Sequence, residues 1–384
     1  MGSEIVTMDH LKRITLQTVA ALPIVVYATL RESKGEVARQ HDATDWVITH
    51  AMTLVVRYQL NPLRAARVLA YVSGSSADVW MAERKDANLA ATANHAAAIM
   101  IEHLFPQETV GRARALALAR FGEGDIRYAL SVAQRWIDRA LKDGSNAIWR
   151  SNERPPLSEG IWRGYAPLYA FNPVEPLAGY WQTLVLPHGG AVDVGGPPAF
   201  TSAALLAEAA EVLEVTQKLT VEQKAIAERW HLEQGSTTPP GVWNTIAFDL
   251  LQGQPLPNIK KATILATLNA AMFDALVACW RVKYTHWTAR PITVIQSKLD
   301  ATFSPHLVTP PFPSYVSGHA SVSGAAERVL ATAMPMHGVK LKLLAEEAAL
   351  SRLYGGIHFR SDNEAGLALG RRVGDLAAQR LKAG

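Results

Sequence analysis

Apolar side chains recur at helical spacing along most of this chain. Between residues 260 and 284 they lie three or four positions apart, at Ile264, Leu268, Met272, Ala275 and Cys279. Such spacing places them on one face of a helix, and the alternation of apolar and polar residues that is typical of strands is nearly absent. The pattern predicts an all-α fold, a helical bundle of about ten or more helices.

Capping residues and helix breakers delimit these helices. Thr220 with Gln223, and Ser361 with Glu364, match the capping-box pattern, and each pair predicts the start of a helix. Residues 237–241, which contain two prolines and a glycine, are predicted as a loop. The predicted helices cover residues 44–55, 63–72, 87–104, 109–121, 124–141, 203–217, 220–230, 242–251, 260–284, 322–334, 339–354 and 361–382.

Residues 143–200 break this pattern, because they combine many prolines and glycines with aromatic residues such as Trp162, Tyr165 and Trp181. Aromatic side chains at this density have to bury part of their surface. We predict an ordered irregular segment that wraps the bundle. A lid or wall over a functional site is the alternative for a loop of this length.

The N-terminus allows two interpretations. A mostly apolar stretch, residues 14–30, follows two basic residues, as in a signal peptide or a single membrane anchor. Pro23 and the acidic residues upstream favour an ordinary first helix instead. Residues 1–34 are therefore a signal or anchor, which would make the protein exported or membrane-anchored, or they are the first helix of a cytoplasmic protein.

Composition limits the classes of fold, binding partner and metal site that remain possible. Hydrophobic residues make up 49% and charged residues 19% of the chain, which predicts that residues 35–384 form a single all-α domain with a substantial core. The net charge of +4, without a run of basic residues, argues against a nucleic-acid partner. The only cysteine, Cys279, excludes an internal disulfide and a cysteine-based zinc site.

Lys283 and Arg290 are the first of three short blocks that carry candidate chemistry. They lie seven residues apart, about two helical turns, so both could face one cavity. Pro291 disfavours helical geometry in the residue before it and so places Arg290 on an exit loop. Two cations in an apolar setting require an anion, or an acidic partner such as Asp274, unless both lie at the surface.

The second block is Ser317-Gly318-His319, just before a predicted helix. Glycine lets backbone N–H groups approach a ligand closely, and the start of a helix adds partial positive charge. His319 contributes a group that titrates near neutrality. The alternative is a serine that caps the helix, followed by a partly exposed histidine.

The third block contains Arg352, near the end of a helix, and His358, on the connection that follows Gly355 and Gly356. Asp362 lies four residues after His358 and could orient its ring. Alternatively, Asp362 only helps to start the last helix.

Taken in order, these blocks read Lys-x6-Arg-Pro, Ser-Gly-His and Ser-Arg-x5-His. The pattern resembles the vanadium-dependent haloperoxidases and the type 2 phosphatidic acid phosphatases, which share one anion pocket. The resemblance is tightest over residues 260–375, the expected anion-site core, and upstream stretches such as TTPPGVWN are similar to the soluble bacterial chloroperoxidase-like branch. Val316 departs from the proline that the family usually has there. We expect two four-helix-bundle-like halves.

This resemblance implies a role for each residue of the pattern. The residues that would bind the oxygens of vanadate or phosphate are Lys283, Arg290, Ser317, Gly318 and Arg352. Lys283 would also polarise bound peroxide. His358 would be the ligand of vanadium, or the nucleophile toward phosphorus, with Asp362 beside it. His319 would be the general acid–base, and Phe312 falls where related enzymes often have an aromatic residue near a halide site.

The implied function is a vanadium-dependent haloperoxidase that oxidises halide with hydrogen peroxide at a histidine-bound vanadate. The alternative is an acid phosphatase that works through a phosphohistidine in the same pocket, where phosphate replaces vanadate. A non-catalytic anion-binding module is a third interpretation, but it would leave one of the two histidines idle. The expected partners are small molecules, namely peroxide, halide and an organic acceptor, and a homo-oligomer is left open.

Overall fold

Helices build the described part of the chain. The structure, a computed structural model, describes residues 43–82, 88–108, 123–165 and 167–382. These ranges hold twelve α-helices and no strand, only an isolated bridge between Ile161 and Thr288. The predicted all-α fold is thus confirmed. The helices are α1 (Ala43–Arg57), α2 (Pro62–Trp80), α3 (Leu89–Leu104), α4 (Glu123–Lys142), α5 (Ala203–Gln217), α6 (Val221–Arg229), α7 (Thr238–Leu251), α8 (Asn258–His286), α9 (Pro291–Lys298), α10 (Gly318–Ala333), α11 (Gly338–Tyr354) and α12 (Arg360–Lys382).

A first bundle is formed by α1, α2, α3 and α4, with α2 in contact with each of the other three. Its core contains small side chains, among them Ala96 and Val132, which pack against Trp136. A Cβ atom on Gly74 of α2 would collide with the ring of Trp136. Glycine at this position is therefore what lets α2 and α4 approach so closely.

A second bundle is formed by α8, α10, α11 and α12. Its closest contact is between α10 and α12, because α12 carries a glycine at every fourth position, at Gly366, Gly370 and Gly374. A Cβ on Gly366 would lie 2.7 Å from the Ser317 carbonyl oxygen, and one on Gly370 would collide with the Ser321 carbonyl. The two backbones touch, so the start of α10 lies beside the start of α12.

Helix α8 belongs to both bundles, since it contacts α2 on one side and α10 and α12 on the other. It is the one described helix that is long and apolar enough to cross a bilayer, and 89% of its most apolar window is buried inside the fold. Its apolar residues are therefore accounted for by neighbouring helices. It ends at His286, and Trp287, the residue that follows, adopts the left-handed conformation with φ 51°.

The irregular segment wraps the end of α8, as predicted. The Tyr165 hydroxyl donates to the Pro310 carbonyl, and the Val174 N–H donates to the Pro311 carbonyl. Val174 in turn accepts hydrogen bonds from the indole of Trp280 and the hydroxyl of Tyr284, both on α8. The segment thus fixes the loop that leads to Ser317-Gly318-His319 against α8.

The structure corrects the predicted loop at residues 237–241. Helix α7 begins at Thr238, with Pro239 and Pro240 in its first turn. A proline in the first turn of a helix lacks only an N–H that would have no partner within the helix. Two prolines therefore marked the start of a helix and not a loop.

The capping box predicted at Ser361 and Glu364 is also wrong. Helix α12 begins one residue earlier, at Arg360, and both the N–H and the hydroxyl of Ser361 donate to the Glu208 carboxylate of α5. A contact distant in sequence has replaced the local one. By contrast, the capping box of Thr220 and Gln223 is confirmed at the start of α6.

The described residues make up one compact unit. The predictions for residues 1–34 and for a helix over 109–121 lie outside the described residues. Helix α9 was not predicted, and it matters because Arg290 is the residue that precedes it.

Candidate active site

Three cationic side chains are buried near the ends of helices of the second bundle. Lys283 comes from the last turn of α8, Arg290 precedes α9, and Arg352 lies in the last turn of α11. Each is at most 1% exposed. They are also close enough for the Arg290 charge to lower the pKa of both Lys283 and Arg352. The structure thus brings together the three predicted cations.

Backbone carbonyls, not carboxylates, bind Lys283 and Arg290. Lys283 Nζ donates to the carbonyls of Pro313 and Ser314, both at 2.7 Å. Arg290 Nε donates to the Phe312 carbonyl at 2.8 Å, and Nη1 donates to the carbonyl of residue 357 at 2.7 Å. The ring of Phe312 covers both cations, 5.1 Å from Lys283 Nζ and 4.9 Å from the Arg290 guanidinium carbon.

Arg352 is held in the same way. Its Nη2 donates to the Ala227 carbonyl, near the end of α6, at 3.1 Å, and its Nε donates to the Ser351 hydroxyl at 3.0 Å. The last carbonyls of a helix lack partners within that helix and carry partial negative charge. Helix α6 is therefore part of the site, which the sequence did not predict.

Asp274, the acidic partner considered for Lys283 and Arg290, is bound elsewhere. Its carboxylate accepts hydrogen bonds from three consecutive backbone N–H groups, those of residues 184–186, at 2.7–2.8 Å. It anchors the irregular segment to α8 and does not neutralise the cations.

The cation cluster consequently lacks a full set of counter-charges. Asp362 is the carboxylate that acts electrostatically on Lys283 and Arg290. Burial lowers the pKa of Lys283 to about 7 and that of Arg352 to about 9. Arg290 Nη2 is buried without a hydrogen-bond partner among the described residues. Buried charges of this kind are stabilised when an anion binds between them.

His358 and Asp362 form a buried pair at the edge of this cluster. His358 Nδ1 lies 2.8 Å from Asp362 Oδ2, which also accepts from the Ser314 hydroxyl and the Phe359 N–H. A carboxylate can only accept, so Nδ1 carries the proton and Nε2 keeps a lone pair, 2.9 Å from Arg290 Nη1. Burial and then the Arg290 charge lower the pKa of His358 well below its usual value. The neutral imidazole therefore presents Nε2 to the cation cluster.

Ser317 and Gly318 start α10 beside this pair. Ser317 is the N-cap, and its N–H donates to the Asp362 carbonyl at 2.9 Å. A Cβ on Gly318 would meet the nearest atom, in Trp280, at 3.4 Å, which is an ordinary contact. Packing does not require glycine there, so its bare backbone is available for close approach of a ligand to the start of the helix.

His319 completes the arrangement at the start of α10, where the residue is partly exposed but its Nε2 is buried. Its Nε2 has no hydrogen-bond partner among the described residues. Burial and then the Arg352 charge lower its pKa well below the usual value, although backbone hydrogen bonds to Trp230 and His231 act in the opposite direction. The ring is therefore neutral near pH 7 and able to accept a proton at Nε2.

All of the predicted site residues thus lie in one place. The sequence did not predict the carbonyls that hold the cations, the hydroxyl of Ser314, or the contribution of α6. Backbone carbonyls leave no sequence signal, because every residue has one. Ser314 lies three residues before Ser317, and nothing in that spacing distinguishes it.

Comparison with known families agrees with this geometry. Residues 263–343 and 332–383 match the family model of the VCPO second helical-bundle domain. The resemblance inferred from the three motifs is confirmed, although no curated protein sequence matches this chain.

Solved structures extend the likeness to most of the chain. A bacterial vanadium-dependent iodoperoxidase superposes with a TM-score of 0.78 at 24% identity, over 88% of this chain and 95% of its own. An apo-type bacterial vanadium-dependent chloroperoxidase gives a TM-score of 0.68 at 15% identity, over 85% and 93%. The holo-type structure of such a chloroperoxidase gives 0.67 at 14%, over 96% and 97%. The chain therefore shares the fold of these enzymes.

The residues present fit an oxyanion better than a bare metal ion. Among the described residues, no group of three or more His, Cys, Asp or Glu side chains could hold a metal ion. A metal would therefore have to arrive as an anion, bound by the cations and by one histidine. The unpartnered Arg290 Nη2 and His319 Nε2 are the donors and acceptors that such a guest would use.

Proposed function

We propose that this protein is a vanadate-dependent haloperoxidase that oxidises halide with hydrogen peroxide. The observation that carries the proposal is the buried cluster of Lys283, Arg290 and Arg352, which among the described residues is hydrogen-bonded to no carboxylate. It lies beside an imidazole whose unprotonated Nε2 accepts from Arg290 Nη1. The shared fold of vanadium-dependent iodo- and chloroperoxidases supports vanadate as the anion.

The role that we propose for each residue follows from its hydrogen bonds. Lys283, Arg290 and Arg352 would neutralise the oxygens of vanadate, with hydrogen bonds added at the start of α10. His358 would bind the metal through Nε2, because Asp362 keeps the proton on Nδ1. When bound, vanadate supplies a Lewis acid that activates hydrogen peroxide toward halide.

His319 would act as the general acid–base toward hydrogen peroxide. Its Nε2 has no hydrogen-bond partner in the part of the chain that the structure describes, and its lowered pKa keeps the ring neutral, so Nε2 can take the proton that hydrogen peroxide loses. Lys283 would donate a hydrogen bond to the peroxide oxygen as negative charge develops there. Its low pKa in the anion-free pocket should rise once the anion binds, because the opposite charge favours the ammonium form.

The test is a halogenation assay with purified protein. After dialysis with orthovanadate, we expect peroxide-dependent bromination or iodination of a phenolic dye, and excess phosphate should suppress it. Vanadate that only inhibits, together with efficient hydrolysis of aryl phosphates by the vanadate-free protein, would instead support a phosphatase with a phosphohistidine at His358. Neither activity, combined with measurable phosphate binding, would leave an anion-binding module.

A further inference from the structure

Ser314 is completely buried and contacts both parts of the candidate active site. Its carbonyl accepts a hydrogen bond from Lys283 Nζ at 2.7 Å, and its hydroxyl oxygen lies 2.5 Å from Asp362 Oδ2. Lys283 belongs to the cation cluster, whereas Asp362 holds the ring of His358. This one residue therefore connects the cations that would bind an anion to the histidine that would bind its central atom.

The backbone of Ser314 is also fixed from the other end of α8. The Ser314 N–H donates to the Thr288 carbonyl at 3.1 Å, and the N–H of the next residue, Tyr315, donates to the Thr288 hydroxyl at 2.8 Å. Since its N–H and its carbonyl are both bonded, Ser314 cannot turn without breaking a buried hydrogen bond, which is costly. The position from which its hydroxyl reaches Asp362 is therefore set by the fold.

This hydroxyl bears on the orientation of the Asp362 carboxylate. Among the described residues the carboxylate is bonded to the Ser314 hydroxyl, the Phe359 N–H and His358 Nδ1, and all three lie at Oδ2. A carboxylate can only accept, so the single proton of the hydroxyl points at Oδ2. The separation of 2.5 Å is in the range of hydrogen bonds from a hydroxyl to an ionised carboxylate, which are among the strong ones.

Loss of the hydroxyl would leave the carboxylate with weaker restraints. Apart from His358 itself, the donor that remains to it within the described part of the chain is the Phe359 N–H, at 3.1 Å. The carboxylate could then rotate about its Cβ–Cγ bond, and the hydrogen bond to Nδ1 would lengthen or bend. A histidine ring that is held less firmly presents its Nε2 to the anion site for a smaller part of the time.

We propose that Ser314 is a positioning residue, which orients the Asp362 carboxylate and, through it, turns the His358 ring toward a bound vanadate. The inference rests on the proposed function, because the orientation of the ring matters only if His358 binds vanadium. Histidines that bind metals are commonly held by a carboxylate at their other ring nitrogen, and disturbing such outer contacts weakens metal binding by about 10- to 100-fold. Ser314 acts one hydrogen bond further from the metal.

A comparison of vanadate with phosphate tests this role without an assay of activity. Vanadium can take a fifth ligand, which His358 would supply, whereas the phosphorus of free phosphate would leave all the binding to the cations and the start of α10. Ser314→Ala keeps the carbonyl that accepts from Lys283, so it should keep the wild-type affinity for phosphate. Its affinity for vanadate should fall by about 10-fold or more. Equilibrium dialysis of the vanadate-free protein against each anion measures both affinities.

Two further variants separate the hydroxyl from the packing around it. Ser314→Thr keeps a hydroxyl on the same carbon atom, so it should bind vanadate more tightly than Ser314→Ala does. Ser321→Ala removes an equally buried hydroxyl from α10, which donates to the Ser317 carbonyl at 2.9 Å. That carbonyl also accepts from the Ser321 N–H, so this matched control should leave the affinities for both anions unchanged.

The ratio of the two affinities decides the outcome. If Ser314→Ala loses the same factor for vanadate and for phosphate, or loses affinity for neither, the proposal is overturned. It is also overturned if Ser314→Thr binds phosphate normally but vanadate as weakly as Ser314→Ala does. Wild-type protein that binds vanadate no more tightly than phosphate would instead contradict His358 as the ligand of vanadium, and with it the proposed function.

Discussion

Each of the two bundles buries arginine, but under opposite conditions. In the first bundle, Arg67 Nε donates to Asp143 Oδ2 at 2.6 Å, and the same carboxylate accepts from the Tyr71 hydroxyl at 2.9 Å. In the second bundle, Arg352 donates to the Ala227 carbonyl and to a serine hydroxyl, and burial and then the Arg290 charge lower its pKa.

This difference separates a structural buried charge from a functional one. A buried cation with a hydrogen-bonded carboxylate is already satisfied, and removing its partner would leave an isolated charge. A buried cation whose partners are carbonyls and a hydroxyl is satisfied in its hydrogen bonds but not in its charge. This second condition agrees with the proposed function, in which a bound anion would supply the missing negative charge.

Substitution of either histidine of the candidate active site is expected to have the largest effect on halogenation. His358→Ala should abolish vanadate binding and reduce halogenation to the background, because Nε2 is the ligand atom that the site offers. His319→Ala should keep vanadate binding and lose about 10²- to 10⁴-fold in kcat, as for removal of a general acid–base. Equilibrium dialysis with vanadate and the halogenation assay separate the two. Equal loss of vanadate binding in both variants would contradict these roles.

The two arginine environments can be compared through stability. Asp143→Ala should lower the free energy of unfolding by about 3–5 kcal/mol, because it leaves Arg67 buried and unpaired. Arg352→Met in anion-free protein should be neutral or stabilising by about 1 kcal/mol or more, because it removes a charge without a counter-charge. Urea unfolding measures both. Phosphate should stabilise the wild type more than Arg352→Met, and a large loss of stability in Arg352→Met would make Arg352 structural.

The contact between α10 and α12 predicts a smaller effect. Gly370→Ala should cost about 1–3 kcal/mol, since the new Cβ would collide with the Ser321 carbonyl and push the two helices apart. Gly338→Ala is the control, because its Cβ would meet nothing closer than 3.8 Å at the start of α11, and it should be neutral or slightly stabilising. Thermal unfolding shows the difference, and similar midpoints would mean that α12 can shift without penalty.

The pH dependence of the free energy of unfolding is the smallest of the expected effects, counted per pH unit. In the unfolded chain the pKa of Lys283 is near its ordinary value of 10.5, whereas burial in the folded, anion-free protein lowers this pKa to about 7. Between these values the unfolded state holds more protons, so stability rises with pH by up to about 1.4 kcal/mol per pH unit. Lys283→Met should lose this part of the slope, measured as the difference from wild type in urea unfolding between about pH 7 and 10. Parallel curves for the two proteins would show that Lys283 is not desolvated.

Signals from residues close together in the sequence were sufficient to predict most of the helices. Helix α5 has the predicted bounds, and the capping box of Thr220 starts α6, because both depend on residues close in sequence. The prediction failed at Ser361, where Glu208 of another helix replaced the local partner, and at α7, where two prolines begin a helix. The glycines of α12 recur at every fourth position, a spacing from which the close contact with α10 could have been predicted.

The sequence alone singled out the side chains that we propose carry the chemistry. The order of Lys283, Arg290, Arg352 and the two histidines was enough to predict that they lie together, and the structure brings them together. Only the tertiary structure decided that backbone carbonyls and not Asp274 would hold the cations, and that α6 would contribute to the site. The physical reason is that the charge of a side chain can be read from the sequence. The groups that bind this charge cannot be read there, because they depend on which distant part of the backbone folds against it.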